Sequence, residues 1–516
     1  MNENLRQSSF LPSDKSDFSD EPEKILEEVD VPVMNKKKYF SLPLIACFIF
    51  VFVYILPIMP LYPSAHTCLA ILCTICFLWI TEAIPPYATS YLIPILSVWL
   101  QIGINKDKGK RIPAPDLAQF FAYKFMDPII FVFFGSLVLS TGLQKLNITS
   151  RASRFILSLV SPKPNVILLV LMLINLTIGA FLSNVASTTL TLSLALPIIR
   201  SLRPTDPFIK AILFGIAWSG NCGGQPTAIA SPQNVIASHI VNSSGSHVTF
   251  MNWIFFGTPV SILLTVAQWF YLTKIFPKSS ADYIQIATNT DEEPWSIKHT
   301  QAVVVTFVTI LLWSLGDSLS WFMGHIGIAS MIPIVWFFGC GILTTSDFNS
   351  LKWSTLSLLG GGLALGESMK ISGLLDYIAE NAKYFLGGVS TWSLLVIILI
   401  IEGCLASLLS STTAASIMFP LIMAVGGNTG HAPLLVVLSA LMISSSQLFH
   451  ISSFPNALCS GVCIECTEDQ EKIFGVENGA PFLKGYEYVK YGWPTIAMSV
   501  FSISTLGYFL ASDLGF

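Results

Sequence analysis

The sequence contains 516 residues, of which 53% are hydrophobic and only 11% are charged, and its mean hydropathy is +0.67. Soluble domains carry roughly 25% charged residues. This composition therefore excludes an ordinary soluble domain and predicts a multi-pass membrane protein. The net charge of -4 and the lack of a long basic tract argue against a nucleic-acid partner and leave the lipid bilayer as the first expected partner.

The first predicted region is a disordered cytosolic tail at residues 1–38, which is rich in Ser, Asp and Glu and lacks a signal-peptide pattern. The apolar stretch from Tyr39 to Leu61 is long enough to span a bilayer. Lys36 to Lys38 precede it and predict a cytosolic N-terminus. If the next segment returns across the bilayer, the basic loop 105–111 lies on the same side, and the polar segment 277–300 is a third candidate for that side.

Five sequence blocks of the first half return in the same order in the second half. They predict two membrane repeats, residues 39–276 and 301–516, joined by a cytosolic linker at 277–300. An odd number of crossings in each repeat would make them inverted copies, as in many secondary transporters. The paired blocks are YLIPILSVW with SMIPIVWFF, FFGSLVLSTG with LLGGGLALGES, FLSNVASTTLTLSLALPII with LLSSTTAASIMFPLI, GNCGGQPTAIASPQN with SSSQLFHISSFPN, and WIFFGTPVSI with YVKYGWPTIAM.

Glycines interrupt two of the apolar runs, at Gly135-Ser136 and at Gly360 to Gly362. We expect each to form a re-entrant helical hairpin, because non-helical backbone at membrane depth is tolerated only where it is buried in protein or lines a wet cavity. Close helix packing at the glycine triplet is an alternative, and it is compatible with a hairpin.

A hydroxyl and amide cluster follows each glycine block, at residues 183–189 and 410–413, and beyond it comes SPQN, ending at Asn234, or SFPN, ending at Asn456. Proline removes an amide donor, and Asn can cap a restarted half-helix. Such a half-helix offers free N–H groups to an anion, while unwound carbonyl groups can coordinate a cation. A single Ser or Thr in a membrane helix usually bonds the preceding carbonyl, but the duplication favours two halves of one binding site.

Ionisable residues at membrane depth are further candidates. Glu402 lies within an apolar helix and is either a proton-coupling carboxylate or a satisfied group facing the bundle. His450 precedes ISSFPN and could meet an anion, titrate near neutral pH, or bond backbone at a helix end. Glu367 and Lys370 are helix-face neighbours that could pair with each other.

Neither hydroxyl cluster and neither SPQN/SFPN segment contains Lys or Arg. An unpaired charge in a low dielectric costs several kcal/mol or more, so a bound polyanion there must be neutralised by dipoles and by co-bound Na⁺. The sequence shows no nucleotide-binding loop, no metal-binding His pair and no favoured Ser/His/Asp set, so we expect neither an enzyme nor a cofactor. An ion channel built on the same hairpins is an alternative from another class.

These residues resemble the divalent anion/sodium symporters, which carry dicarboxylates, citrate, sulfate or phosphate, over about residues 40–512. The motifs that carry the resemblance include WITEAIP, LSNVA, GNCGGQPTAIASPQN, SSTTAASIMFPL and SSFPN. SPQN paired with SFPN is similar to the eukaryotic yeast-type low-affinity phosphate transporters. The resemblance implies an all-α elevator carrier with a scaffold domain and a transport domain, which forms a homodimer in the plasma membrane or the vacuolar membrane.

The resemblance also implies two sodium sites and a substrate site between them. The first sodium site comprises Ser183, Asn184, Gly223, Gly224 and Thr227, and the second comprises Ser411, Thr412, Thr413, Ser452 and Ser453. The implied substrate-binding residues are Ser183, Asn184, Thr412, Thr413, Asn234 and Asn456.

The sequence departs from the family pattern at several positions. Val185 and Thr412 stand where the Ser-Asn-Thr pattern has Thr and Asn, which favours a compact tetrahedral oxyanion over a dicarboxylate. His450 and Ile451 replace an expected Pro-Thr in the second cation site. The tail is too short for the inositol-phosphate-sensing domain of the yeast-type members, so we expect that regulation to be absent or supplied in trans. The prediction is Na⁺-coupled phosphate transport, with a sulfate or dicarboxylate symporter, or an H⁺-coupled phosphate carrier, as alternatives.

Overall fold

A computed structural model describes residues 36–105, 109–276, 294–316, 318–386, 388–445, 447–464, 471 and 473–516. The predicted tail up to residue 35, Lys106 and Lys108 of the basic loop, and residues 277–293 of the predicted linker lie outside the described residues. Over the described ranges the chain is predominantly α-helical, with a short antiparallel strand pair formed by β1 (Ile104–Asn105) and β2 (Lys110–Arg111). The predicted helical class is confirmed.

Seven helices or helix pairs within the described residues are long and apolar enough to cross a membrane. This confirms a multi-pass membrane protein, as the composition predicted. Their ranges are Pro63–Thr81, Ala114–Lys145, Pro164–Phe181, Phe250–Ile275, Ile297–Ser314, Thr391–Leu408 and Gly485–Asp513.

The N-terminal part contains more helices than the sequence argument assumed. Glu82 ends one helix in the left-handed region at φ 48°, and the Pro85-Pro86 pair starts the next helix. Two helices therefore lie between α1 and the loop at 105–111, of which Pro63–Thr81 is long and apolar enough to span a membrane, and the cytosolic position of this loop stays a prediction. The helices are α1 (Lys36–Ile55), α2 (Pro63–Thr81), α3 (Pro86–Trp99), α4 (Ala114–Phe125), α5 (Pro128–Lys145) and α6 (Ile148–Ser158).

The next elements form a hairpin of two helices, a broken helix and a long helix. Their ranges are α7 (Pro164–Phe181), α8 (Asn184–Ser201), α9 (Pro207–Cys222), α10 (Pro232–Asn242) and α11 (Phe250–Ile275). The connecting helices are α12 (Ile297–Ser314), α13 (Ser320–Met323), α14 (Ile326–Ala329), α15 (Ile332–Gly339), α16 (Thr345–Asn349), α17 (Trp353–Ile371) and α18 (Leu374–Leu386).

The same order of elements then returns. The second hairpin is α19 (Thr391–Leu408) and α20 (Ser411–Gly426), and the second broken helix is α21 (Ala432–Ile443) and α22 (Phe454–Ser460). The last helix is α23 (Gly485–Ser502), which continues through a π-helical turn at Ile503–Gly507 into α24 (Tyr508–Asp513). Helices α9 and α21 are buried along almost their whole length, so the two broken helices form the centre of the molecule.

The predicted hairpin turns at the glycine blocks were wrong. Helix α5 runs without a break through Gly135 and Ser136, and α17 runs through Gly360 to Gly362. The glycines allow close packing instead: a Cβ on Gly360 would overlap the carbonyl oxygen of Phe125, and one on Gly361 would overlap Ser90. These glycines are therefore explained by close packing, because neighbouring residues leave no room for a side chain.

The chain turns at the two hydroxyl clusters. Leu182 and Leu409 have extended backbone, with ψ of 169° and 159°, and each follows the last residues of a hairpin helix. Ser183 then caps α8 by accepting a hydrogen bond from the Ala186 N–H, and Ser410 caps α20 in the same way. Hydroxyl caps at the N-terminus are among the strongest helix-start signals, so these residues position the turns.

Candidate transport site

Two unwound segments interrupt the central helices, at residues 223–231 and at residues 444–445 and 447–453, where the sequence predicted chain breaks. Ser231 and Ser453 are the N-cap residues of the restarted helices, with φ of -151° at both positions. The Ser453 Oγ accepts a hydrogen bond from the backbone N–H of Asn456 at 3.3 Å. The prediction that the motif asparagines cap these helices was therefore wrong, because the serines occupy the cap positions.

The motif asparagines hold the unwound segments together. Asn234 Nδ2 donates hydrogen bonds to the carbonyl oxygens of Gly224 and Thr227 at 2.7 and 2.8 Å. Asn456 Nδ2 donates to the Phe449 carbonyl at 2.9 Å and to Ser452 Oγ at 3.1 Å. Both side chains are fully buried. These contacts commit the amide donors to the protein and do not favour the substrate contact predicted for them.

Side-chain amides of the first repeat donate hydrogen bonds to the second motif, so the two motifs lie against each other. Buried polar groups of this kind are costly unless they are paired, and each partner here comes from the other repeat. The bonds run from Asn221 Nδ2 to Asn456 Oδ1 at 3.0 Å, from Gln225 Nε2 to Ser445 Oγ at 2.7 Å, and from Gln233 Nε2 to Ser444 Oγ at 2.8 Å.

The packing of the repeats is crosswise. Helix α10, which restarts after the first motif, packs against α20 and α21 of the second repeat, while α22 packs against α8 and α9 of the first. Gly220 marks the contact, because a Cβ there would overlap the Thr188 hydroxyl and lie 3.2 Å from the Cβ of Pro455. Each hairpin therefore contacts the restarted helix of the opposite repeat.

The residues of the first predicted cation site are brought together. Thr227 Oγ1 donates to the Ala180 carbonyl at 2.5 Å, which joins the unwound segment to the end of α7. A Cβ on Gly179 would lie only 2.9 Å from the Cα of Gly223. The predicted ligand Gly224 already accepts two hydrogen bonds at its carbonyl oxygen, from Ser231 Oγ and Asn234 Nδ2. Ser183 and Asn184 are half-buried at the adjacent hairpin turn.

The residues of the second predicted cation site lie on the second hairpin turn and the second unwound segment. Ser411 is the first residue of α20, and Thr412 and Thr413 are buried beside it. Thr413 Oγ1 and Ser410 Oγ lie 2.7 Å apart, and Ser452 Oγ donates to the Phe449 carbonyl at 2.7 Å. Both predicted cation regions therefore offer hydroxyl and carbonyl oxygens, which are the ligands that hard cations prefer.

The two motifs differ in accessibility. Every residue from Gly223 to Ser231 is buried except the half-buried Ala228. In the second motif Ile451 is 72% exposed and Phe454 is 43% exposed. His450 is exposed as well, and its ring centre lies 6.4 Å from that of Tyr488. The structure therefore has one closed motif and one open motif.

The ionisable candidates have different surroundings. Glu402 is fully buried, and neither carboxyl oxygen has a hydrogen-bond partner; Ser439 on α21 is its polar neighbour. The two predicted roles of Glu402, a proton-coupling carboxylate or a satisfied group facing the bundle, both stay predictions. Glu367 pairs with Lys124 at 3.1 Å, so the predicted pairing with Lys370 was wrong.

Sequence reasoning missed several of the buried amides. Asn175 on α7 donates to the Ile216 carbonyl at 2.7 Å and to Ser219 Oγ at 3.2 Å. It is separated from Glu402 by the same spacing that separates Ser183 from Ser410, so it is the first-repeat counterpart of that carboxyl group. A residue-by-residue alignment of the two repeats would have identified Asn175 and Glu402 as equivalent positions, and likewise Gln225 and Gln447.

A multi-pass helical chain whose two repeats bring paired helix breaks into contact defines a membrane transporter of the repeat-built class. The chain belongs to the citrate transporter family, whose model matches residues 76–443 and 325–476. This confirms the resemblance to the divalent anion/sodium symporters.

Curated relatives include the inorganic phosphate transporter PHO87 of Saccharomyces cerevisiae, which is 30% identical over 88% of this chain and 48% of the relative. The sodium-dependent dicarboxylate transporter SdcS of Staphylococcus aureus is 27% identical over 76% of this chain and 79% of its own length. The chain spans about half the length of the first curated relatives that it matches. The YdaH transporter of Alcanivorax borkumensis has a similar fold, with a TM-score of 0.51, 12% identity, and coverage of 84% and 98%.

Proposed function

We propose that this protein is a secondary active transporter of inorganic phosphate, driven by co-transport of Na⁺. The transport cycle is an elevator movement, in which the two hairpins and the two broken helices move as one body against the remaining helices. The protein works as a homodimer in the plasma membrane or the vacuolar membrane, with its N-terminus in the cytosol.

The observation that carries the proposal is the crosswise contact between the repeats. Asn221 and Asn456 join the two motifs, and Gly220 brings the first broken helix against Thr188 and Pro455. A binding site between two such breaks can open to either side when the body that contains it moves. This arrangement supports alternating access and gives no reason for a continuous ion pore, so it disfavours the channel alternative.

Phosphate is supported over a dicarboxylate by the hydroxyl-rich turns and by the phosphate transporter among the relatives. The second hairpin turn presents Ser410, Thr412 and Thr413, and the first presents Ser183 with one amide, Asn184. Hydroxyl groups can donate to the oxygens of a compact tetrahedral anion from several directions. Sodium coupling is supported by the oxygen ligands of both predicted cation regions and by the sodium-dependent relative.

The proposal is tested by uptake of radiolabelled phosphate into proteoliposomes, with and without an inward Na⁺ gradient, in competition with excess sulfate or succinate. We expect saturable uptake that requires Na⁺ and that neither competitor blocks. Competition by succinate, or failure of phosphate to move, would transfer the assignment to a dicarboxylate or sulfate symporter. Unitary currents in planar bilayers would instead establish a channel.

H⁺ coupling is a second candidate, and the surroundings of Glu402 specifically favour it. A buried carboxyl group without a partner is compatible with the fold only in its neutral form, because an uncompensated buried charge costs several kcal/mol. Glu402 could therefore carry a proton through the membrane body. Uptake driven by a pH gradient without Na⁺, and lost in Glu402→Gln, would select this candidate.

A further inference from the structure

Tertiary structure brings a lysine to the second motif from a distant part of the chain. Lys352 directly precedes α17, and its Nζ lies 5.4 Å from the ring centre of Phe454. Phe454 is the first residue of α22 and follows the cap residue Ser453. A cation within about 6 Å of an aromatic ring centre is attracted by the ring. The SFPN motif contains no basic residue, but the fold places Lys352 beside it.

The charge of Lys352 is not neutralised within the described part of the chain. No described carboxylate forms an ion pair with it. The side chain is exposed on the protein surface, and desolvation by the neighbouring protein lowers the pKa of Lys352 to about 8. Phe454 and Ile451 are exposed next to it. A partly desolvated cation gains most from an anion that comes from solution.

The first repeat has a charge at the equivalent position, and there it is paired. Asp127 directly precedes α5, and the spacing from Asp127 to Lys352 equals that from Gly135 to Gly360. The Asp127 Oδ2 lies 3.2 Å from Nε2 of His239 on the restarted helix α10, and both side chains are nearly buried. Each repeat thus directs a charged cap residue at a restarted helix. In the closed repeat the partner is a histidine of the chain, and in the open repeat the lysine has no carboxylate partner among the described residues.

We propose that Lys352 binds the transported anion at the open second motif and favours compact dianionic oxyanions such as inorganic phosphate. This inference rests on the proposed function and adds to it a residue from outside both motifs. An ammonium group is a compact point charge with three hydrogen-bond donors on a flexible four-carbon stem. It can hold an oxygen of an anion that reaches the exposed surface beside Phe454.

A lysine beside a helix end can also bind the phosphate of a lipid headgroup, because lysine stems extend towards the membrane interface. The shared chemistry is a phosphate oxyanion, so the experiment must separate the two sources. Lys274 provides the matched control. Its Nζ lies 5.2 Å from the ring centre of Phe270, which is 57% exposed on the long helix α11. The two lysines have the same cation–ring contact, but only Lys352 contacts a motif residue.

The experiment measures KM and kcat for phosphate uptake by the full chain and its Lys352→Met, Lys352→Arg and Lys274→Met variants. Vesicles of phosphatidylcholine alone are compared with vesicles that also contain phosphatidylglycerol. We expect Lys352→Met to raise KM about tenfold in both lipids, with kcat within about twofold of the wild type, as for the loss of one charged hydrogen bond. Lys352→Arg retains most of the affinity, and Lys274→Met leaves KM unchanged.

Two results overturn the inference and leave the proposed function standing, because the wild type still transports phosphate. One is an unchanged KM in Lys352→Met, and the other is a change confined to vesicles with phosphatidylglycerol. A wild type that takes up no phosphate overturns the proposed function and this inference together. If Lys352→Met fails to fold, Lys352→Gln and calorimetric binding of inorganic phosphate to the purified variants give the same decision.

Discussion

The two unwound motifs have equivalent positions in their repeats but opposite surroundings. The first, around Gly223 to Ser231, is buried and held by Asn234, whereas the second exposes Ile451 and Phe454. The charged cap residues follow the same division, since Asp127 is paired with His239, whereas Lys352 is exposed and contacts only the ring of Phe454 among the described charged-group contacts. Nearly the same backbone plan thus gives a closed side and an open side, and the difference lies in what covers each motif.

The largest expected effect is a difference in thiol labelling at two matched positions. Ile229 and Ile451 each stand five residues before a motif asparagine, but Ile229 is 5% exposed and Ile451 is 72% exposed. In a background with the exposed cysteines replaced by serine, a charged thiol reagent should modify Ile451→Cys about 100-fold faster than Ile229→Cys, because a buried thiol reacts only after local opening. Equal labelling rates would show that the two motifs are equally accessible, and would contradict the distinction between a closed first motif and an open second motif.

A smaller but still severe loss is expected where the repeats touch. Gly220→Ala adds a Cβ that overlaps the Thr188 hydroxyl and approaches Pro455. Overpacking of this kind costs about 1–3 kcal/mol, and we expect phosphate uptake to fall at least about tenfold. Gly339→Ala is the matched control, because a Cβ there meets nothing within 4 Å. Normal uptake by Gly220→Ala would mean that the contact between the repeats is not required during transport.

Asn175 and Glu402 occupy equivalent positions on the two hairpins. Substitutions at both positions test whether the Glu402 carboxyl group is neutral in the folded protein, as the Asn175 amide is. Asn175→Asp replaces the donor to Ile216 and Ser219 by an acid in a fully buried site, and the unpaired groups should cost about 1–3 kcal/mol each. Glu402→Gln should keep the stability of the wild type, because a neutral carboxyl group and an amide have similar shape. Thermal unfolding of the purified variants measures both. Equal destabilisation by the two substitutions would indicate that Glu402 is ionised in the native state.

The charge at the open motif predicts a pH effect of severalfold. With the pKa of Lys352 lowered to about 8, the residue is cationic below this pH and loses its charge as the pH rises through it. Inorganic phosphate stays predominantly dianionic over the same range. The KM of the wild type should therefore rise above pH 8, whereas Lys352→Arg should show no such rise because arginine remains charged. Parallel profiles for the two proteins would assign the pH effect to another group.

The smallest expected effect is the interaction free energy between Asn221 of the first repeat and Asn456 of the second motif. A double-mutant cycle with Asn221→Ala and Asn456→Ala should give an interaction free energy of about 1 kcal/mol, as for one buried hydrogen bond. The free energy of unfolding of the four proteins measures it. Asn242→Ala serves as the control partner, because among the described residues its side chain bonds the nearby Val248 alone, and no coupling with Asn221→Ala is expected. An interaction free energy of zero between Asn221 and Asn456 would mean that their hydrogen bond does not stabilise the protein.

The sequence by itself determined the class of the protein, its repeats and the places where its central helices break. Composition requires a membrane protein, and duplicated blocks with Ser-Pro or Phe-Pro before Asn predict paired helix interruptions, because proline and hydroxyl caps act locally on the backbone. These local signals are readable without the fold, and residues 223–231, 444–445 and 447–453 are indeed unwound.

Tertiary structure alone decided where the hairpins turn and which residues face the motifs. Gly360 to Gly362 have the local pattern of a turn, and only their neighbours Phe125 and Ser90 show that they permit close packing inside a helix. Likewise, nothing in the sequence around Lys352 indicates Phe454, since only the tertiary fold brings the Lys352 Nζ near the Phe454 ring. A contact between distant segments depends on the sum of many weak interactions throughout the fold, so it cannot be predicted from a local sequence pattern.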